Sequence, residues 1–212
     1  MRKIIIILMM LATVGFCVKS IGLYDNEFTV VTKNSVIKIP VLLSNPITID
    51  NKYRLSLVPQ ISFNNDVVTV ASTVNEQMLS GEKSRFTLGT ETERGDMKVT
   101  EEIEIEEELI RTTTTVQNIG KSTATASLLF NVNAEQSTFF FPAAVSKNSN
   151  NYLVVMSQSL EGRAIGIKAN APMDTGTEQK PLRNASTYVI GTRTPSLKPG
   201  QSITVSLVIY PF

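Results

Sequence analysis

The chain has 212 residues, with 20 Lys and Arg against 19 Asp and Glu, no histidine, no tryptophan and one cysteine. Histidine is the commonest general base and metal ligand, and the lone Cys17 lies in an apolar N-terminal run, so the rest of the chain holds no thiol nucleophile, disulfide or thiolate zinc site. A formal charge of +1, scattered along the chain, leaves no electrostatic footprint for nucleic acid.

Residues 1–20 read as a secretory signal peptide. Arg2 and Lys3 form a short positive start, and Ile4 to Val18 is unbroken apolar or small sequence. At about 1.5 Å per residue that run spans roughly 22 Å, short of the ~30 Å hydrocarbon core, which fits an export signal better than a permanent span. Phe16 is too bulky to precede a lipoprotein cysteine at Cys17. The expected location is secreted, extracellular or cell-surface, or periplasmic in a double-membrane bacterium, with membrane contact only through an uncleaved leader. Loss of Arg2, Lys3 and Lys19 moves the balance from +1 to −2, which gives no polybasic surface for anionic lipid. The remaining residues, 21–212, are numerous enough to bury a substantial core.

That remainder is rich in strand signals. Phe28 to Val31, Val36 to Leu43, Tyr53 to Val58, Asp66 to Ala71, Ser84 to Leu88 and Lys98 to Ile105 are β-branched or aromatic and bounded by turn formers. Leu109 to Gln117, Ala124 to Val132, Tyr152 to Gln158, Ala164 to Ala169, Ser186 to Ile190 and Ser202 to Tyr210 continue the pattern. The fold expected is all-β, an antiparallel two-sheet β-sandwich of about twelve strands. No Pro/Gly/Ser-rich linker divides it, so 21–212 is one domain, with 21–35 as a candidate N-terminal strand arm.

The stretch Val99 to Arg111 puts six glutamates into positions 101–108. As a strand it turns Glu102, Glu104, Glu106 and Glu108 one way and Val99, Ile103, Ile105 and Leu109 the other, with Glu101 and Glu107 as mismatches. The apolar phase shifts after Leu109, which predicts a bulge or bend. Carboxylates ~7 Å apart along one strand face cannot share an ion, so the run reads as a solvated outer face or as edge-strand protection. No metal site, cofactor or catalytic residue is expected.

Further on, Phe139, Phe140 and Phe141 precede Pro142 and form a candidate ligand patch, although a strand must turn at least one ring away from its neighbours. Asn148 to Asn151 and Ala171 to Arg183 are loop-like, and Asn184-Ala-Ser186 is a candidate glycosylation triplet at Asn184. No Gly-x-Ser-x-Gly elbow occurs.

Two C-terminal stretches, VQNIGKSTATASLLFNV and SLKPGQSITVSLVIY, read as strand–turn–strand units. They resemble pieces of immunoglobulin-like extracellular modules of prokaryotic surface proteins. The high strand count and the Phe139 to Pro142 run are also loosely similar to the carbohydrate-associated supersandwich of the galactose mutarotase type. That family relies on histidines, so the likeness implies a non-catalytic member.

These readings lead to an exported, non-catalytic structural protein, a cell-surface or filament subunit and not an enzyme. Phe28, Val30, Val36, Ile37 and Ile39, in the strand-like segment Leu23 to Leu43 that begins with the arm, would complete a partner subunit's sheet by donor-strand pairing. The alternative is a carbohydrate-binding or accessory supersandwich module, and a third is a secreted hydrolase of unfamiliar type.

Overall fold

The fold is a computed structural model that describes residues 18–211, apart from 33–34, 42–45, 52, 70–79, 82–85, 107–108, 136–137, 143–151, 158–163, 171–172, 175–181 and 184–187. Leader residues 1–17, the 148–151 loop and Asn184 lie outside the described residues. In chain order the first nine strands are β1 (Val18–Tyr24), β2 (Glu27–Thr32), β3 (Val36–Pro40), β4 (Ile47–Ile49), β5 (Tyr53–Phe63), β6 (Asp66–Thr69), β7 (Ser80–Gly81), β8 (Phe86–Arg94) and β9 (Met97–Ile105). The second nine are β10 (Ile110–Asn118), β11 (Ala124–Glu135), β12 (Thr138–Pro142), β13 (Tyr152–Ser157), β14 (Ala164–Ala169), β15 (Met173–Asp174), β16 (Leu182–Arg183), β17 (Tyr188–Leu197) and β18 (Ser202–Pro211).

They form two antiparallel sheets of nine strands each. The first runs β1-β2-β3-β4-β5-β11-β17-β15, with β6 also paired to β5, and the second runs β16-β12-β13-β14-β18-β10-β9-β8-β7. The all-β sandwich expected from the alternation is the architecture observed, with more strands than the twelve foreseen. The added strands are mostly short, and β15 and β16 lie within the Ala171 to Arg183 stretch.

Alternation decides which face each strand buries. Along β10 the even positions Ile110 to Asn118 are buried and the odd ones half-buried, and β18 buries Val205, Leu207 and Ile209. Facing rows from the first sheet supply Phe28, Val30, Ile37, Ile39, Ile49, Leu55, Ile61, Leu128 and Phe130 to the same core. Each fully buried Ile or Leu stabilises the fold by about 2 kcal/mol through apolar burial.

Short turns set the registers. Asp25-Asn26 and Asn64-Asn65 have positive φ at both residues (47° and 63°, 50° and 69°), the requirement of the two-residue hairpin whose twist matches its strands. Both Asx pairs are turn signals carried by the sequence itself. β5 runs through Pro59 instead of stopping at Val58. Its full-length partner is β11, while on the other side β4 pairs residues 53–55 and β6 pairs 60–63, so the proline's missing N–H falls between two ladders.

Two expectations need correction. The phase shift after Leu109, expected to mark a bulge or bend, is not a bulge within one strand but the turn of a hairpin: Glu106 N–H donates to Leu109 C=O at 2.9 Å, and Ile105 faces Ile110. And the two Ig-like stretches are not hairpins, because β10 and β11 lie in different sheets, as do β17 and β18. Both turns are arches that carry the chain across the core.

The N-terminal segment pairs at home. β1 pairs β2 and β2 pairs β3 in antiparallel register, and Phe28, Val30, Ile37 and Ile39 sit in the core with Val36 half-buried. β1 begins at Val18, so the last residues assigned to the leader take part in that ladder, Val18 opposite Thr32 and Ser20 opposite Val31.

Candidate functional site

The face of the second sheet turned away from the core carries a dense set of polar side chains. Because strands alternate, the odd positions of β10 share this face with the even positions of β9, β14 and β18. One continuous row crosses five strands: Lys168, Val208, Arg111, Glu104 and Thr87. The adjacent row holds Ser206, Thr113, Glu102 and Gly89, and the next Thr204, Thr115, Thr100 and Glu91.

At the centre, Arg111 and Glu104 are direct cross-strand partners, with Nε 3.4 Å from Oε2. The glutamate side chain is 19% exposed and the arginine 42%, so the pair sits in the surface without being desolvated. Arg111 Nε is shielded from solvent yet makes no hydrogen bond among the described residues. The guanidinium therefore keeps donor capacity in a fixed fork.

Beside it run two hydroxyl pairs. Thr113 Oγ1 and Ser206 Oγ are 3.2 Å apart, and Thr115 Oγ1 and Thr204 Oγ1 are 2.9 Å apart. Each pair consumes one hydroxyl proton, so the second proton and the spare lone pairs remain for an outside group. Gln117 Nε2 donates to Gly200 C=O at 3.2 Å and closes this edge of the patch.

Towards β8, Lys98 Nζ lies 2.8 Å from Glu91 Oε1. The hydrogen bond that Lys98 donates to Glu91, reinforced by the charges of Glu91 and Glu93, raises the Lys98 pKa above its ordinary value of 10.5. A raised lysine pKa stabilises the fold fully below the unfolded value and stops doing so as pH climbs through the folded one. NMR titration should therefore show Lys98 deprotonating later than a free lysine, and Glu91→Gln should bring it back down; an unchanged midpoint in the variant would disprove the assignment.

The glutamate run divides. Glu102 and Glu104 occupy the outer face as alternation predicts, but β9 lies between β8 and β10, so it protects no sheet edge. Glu101, the mismatch in the pattern, is on the core face and 8% exposed. Its cross-strand neighbours are Thr90 and Thr114, each buried, with Thr112 one pair further along β10. Flanking hydroxyls make this setting polar, which a buried carboxylate requires. Among the described residues no group of three or more Cys, Asp or Glu is placed to hold a metal ion.

The Phe139 to Phe141 run forms most of β12, paired to β13 through Phe139–Met156, Phe140–Val155 and Phe141–Val154. Position 140 falls in the row of Val155 and the fully buried Ile165. Position 141 falls in the row of Val154, Gly166 and Tyr210, which belongs to the outer face. Three adjacent phenylalanines therefore cannot make one platform, while positions 139 and 141 share a face with Arg111 and Glu104. Sequence reasoning missed Arg111 and Glu104 as partners because only register brings them opposite each other.

No protein-family model matches the sequence, and no curated protein matches it. Several solved structures share the fold. A candidate aldose 1-epimerase from Escherichia coli K12 aligns over 88% of this chain and 98% of its own, at 11% identity and a TM-score of 0.50. The alpha-galactosidase AgaB of Geobacillus stearothermophilus aligns over 91% of this chain at 10% identity and a TM-score of 0.54, and the heparan sulfate lyase HepC of Pedobacter heparinus over 95% at 10% and 0.51. This chain spans 41% and 37% of those two longer proteins. The expectation of a non-catalytic cell-surface or filament subunit is corrected by these comparisons, since the proteins sharing the fold act on carbohydrates. The reading that the chain is not an enzyme is corrected with it, since those proteins are described as enzymes. What the likenesses show is the fold: an all-β sandwich of the aldose-epimerase kind, in place of an immunoglobulin-like module.

Proposed function

We propose that this chain is a carbohydrate-recognising supersandwich that meets its saccharide on the outer face of the second sheet, outside the cytoplasm. The observation that carries this reading is the shared fold, which extends over 88–95% of the chain in proteins described as acting on sugars. The outer face supports it chemically. A saccharide presents hydroxyls that both donate and accept, and Arg111, Glu104 and the two hydroxyl pairs offer both kinds of partner in a fixed array. With no histidine in the sequence, an acid–base step on a bound sugar would fall to carboxylates such as Glu104.

The purified protein should bind saccharides on a glycan array and by calorimetry with Kd near or below about 1 mM, equivalent to about 4 kcal/mol. Turnover is checked in parallel by polarimetry on fresh aldose anomers and by product analysis on galactosides and heparan sulfate. Absence of both binding and turnover across that panel would overturn the proposal.

A further inference from the structure

We infer that the ligand is a neutral oligosaccharide laid across the strands of the second sheet, from the Arg111–Glu104 pair towards β12. This deepens the carbohydrate reading and rests on it. Three observations converge. Register runs without a break from β9 through β10, β18, β14 and β13 to β12, and it places positions 139 and 141 on the same face as Arg111, Glu104, Lys168 and Tyr210. Five strand steps at about 4.8 Å each make a track of roughly 24 Å, longer than a single sugar ring needs. The track also has different chemistry at its two ends: a charged, hydroxyl-rich end on β9, β10 and β18 suited to equatorial hydroxyls, and a strand with two of its phenylalanine positions on this face suited to the apolar face of a ring.

Charge selects the ligand class. On this face the described positions set Lys98, Arg111, Lys168 and Arg183, the last opposite Phe139, against Glu91, Glu93, Glu102 and Glu104. A surface with four cations and four carboxylates offers no net attraction to a sulfated or uronate chain. A neutral chain meets no such penalty, and paired donors and acceptors serve its hydroxyls.

The test titrates the full chain with neutral gluco- and galacto-oligosaccharides from monosaccharide to hexasaccharide, with a heparan sulfate hexasaccharide alongside. Affinity should rise about tenfold or more with length, and the sulfated hexamer should bind more weakly than the neutral one. Arg111→Ala and Phe141→Ala should each lower hexasaccharide affinity about tenfold at unchanged melting temperature, while Phe140→Ala, on the core-side row, should act on stability. If Phe141→Ala unfolds the protein, Phe141→Leu, which keeps bulk and removes the ring, carries the test. Length-independent affinity, preference for the sulfated chain, or full affinity in folded Arg111 and Phe141 variants would overturn this inference while leaving carbohydrate recognition standing. Failure of the wild type to bind any glycan would overturn both.

Discussion

Gly191→Ala should cost the protein about 3 kcal/mol. Gly191 lies in β17 opposite Leu129 of β11, in the ladder that joins Ala124–Val132 to Tyr188–Leu197. A methyl group on Gly191 would collide with the Leu128 backbone carbonyl oxygen and come within 2.8 Å of Leu129 Cα. Neither atom can swing aside as a flexible side chain would, so the two strands must separate locally. Overpacking of this kind costs roughly 1–3 kcal/mol, and each ladder hydrogen bond lost adds about 1 kcal/mol. At about 2–4 °C per kcal/mol for a chain of this size, the melting temperature should fall by roughly 6–12 °C. Thermal denaturation followed by circular dichroism reads the shift directly. A variant melting with the wild type would mean that β11 and β17 do not approach this closely.

Asn118→Ala should be of similar size for a different reason. Asn118 is fully buried at the end of β10, where one arch begins, and it reaches across to the other. Its Nδ2 donates to Leu197 C=O and to Ser122 C=O, both at 2.8 Å, and its Oδ1 accepts from Gly120 N–H at 3.0 Å. Its backbone binds the second arch as well, donating to Gln201 C=O and accepting from Gly200 N–H. The side chain thus ties together the two places where the chain changes sheets. Alanine would strand the Leu197 carbonyl in the core and leave two further groups short of a partner, a loss of about 3 kcal/mol. Asn118→Asp should be at least as damaging, because a carboxylate keeps the acceptor but sets negative charge against two carbonyl oxygens. Chemical denaturation of the two variants checks this, and wild-type midpoints would show that the arches hold without the amide.

The effects on ligand binding should be independent of these. Arg111 is half-exposed on the outer face, whereas Gly191 and Asn118 act at a strand contact and at the arches. Folded variants of the first kind read recognition, and variants of the second kind read architecture.

Much of this was legible in the residues themselves. Alternation along Met97–Ile105 and Ser202–Pro211 names the core face because a pleated strand has a side-chain period of two, whatever it pairs with. The same rule marked Glu101 as out of pattern, and the structure buries it. Partnership between distant strands carries no such local signature. Ser202 follows the β17–β18 turn closely in sequence, yet its strand pairs with β10 and β14, because two arches send consecutive strands to opposite sheets. Local turn chemistry looks alike in a hairpin and in an arch, so the short Pro-Gly and Asn-Ile-Gly turns mark a strand–turn–strand unit without saying which of the two it is. The same holds for the site: Arg111 meets Glu104, and Thr113 meets Ser206, only once the register between strands is set. Strand propensity and burial face were thus properties of the sequence alone, since each depends on a residue and its near neighbours. Sheet order and the polar outer face came from tertiary structure, since they depend on which strands the shared core brings side by side.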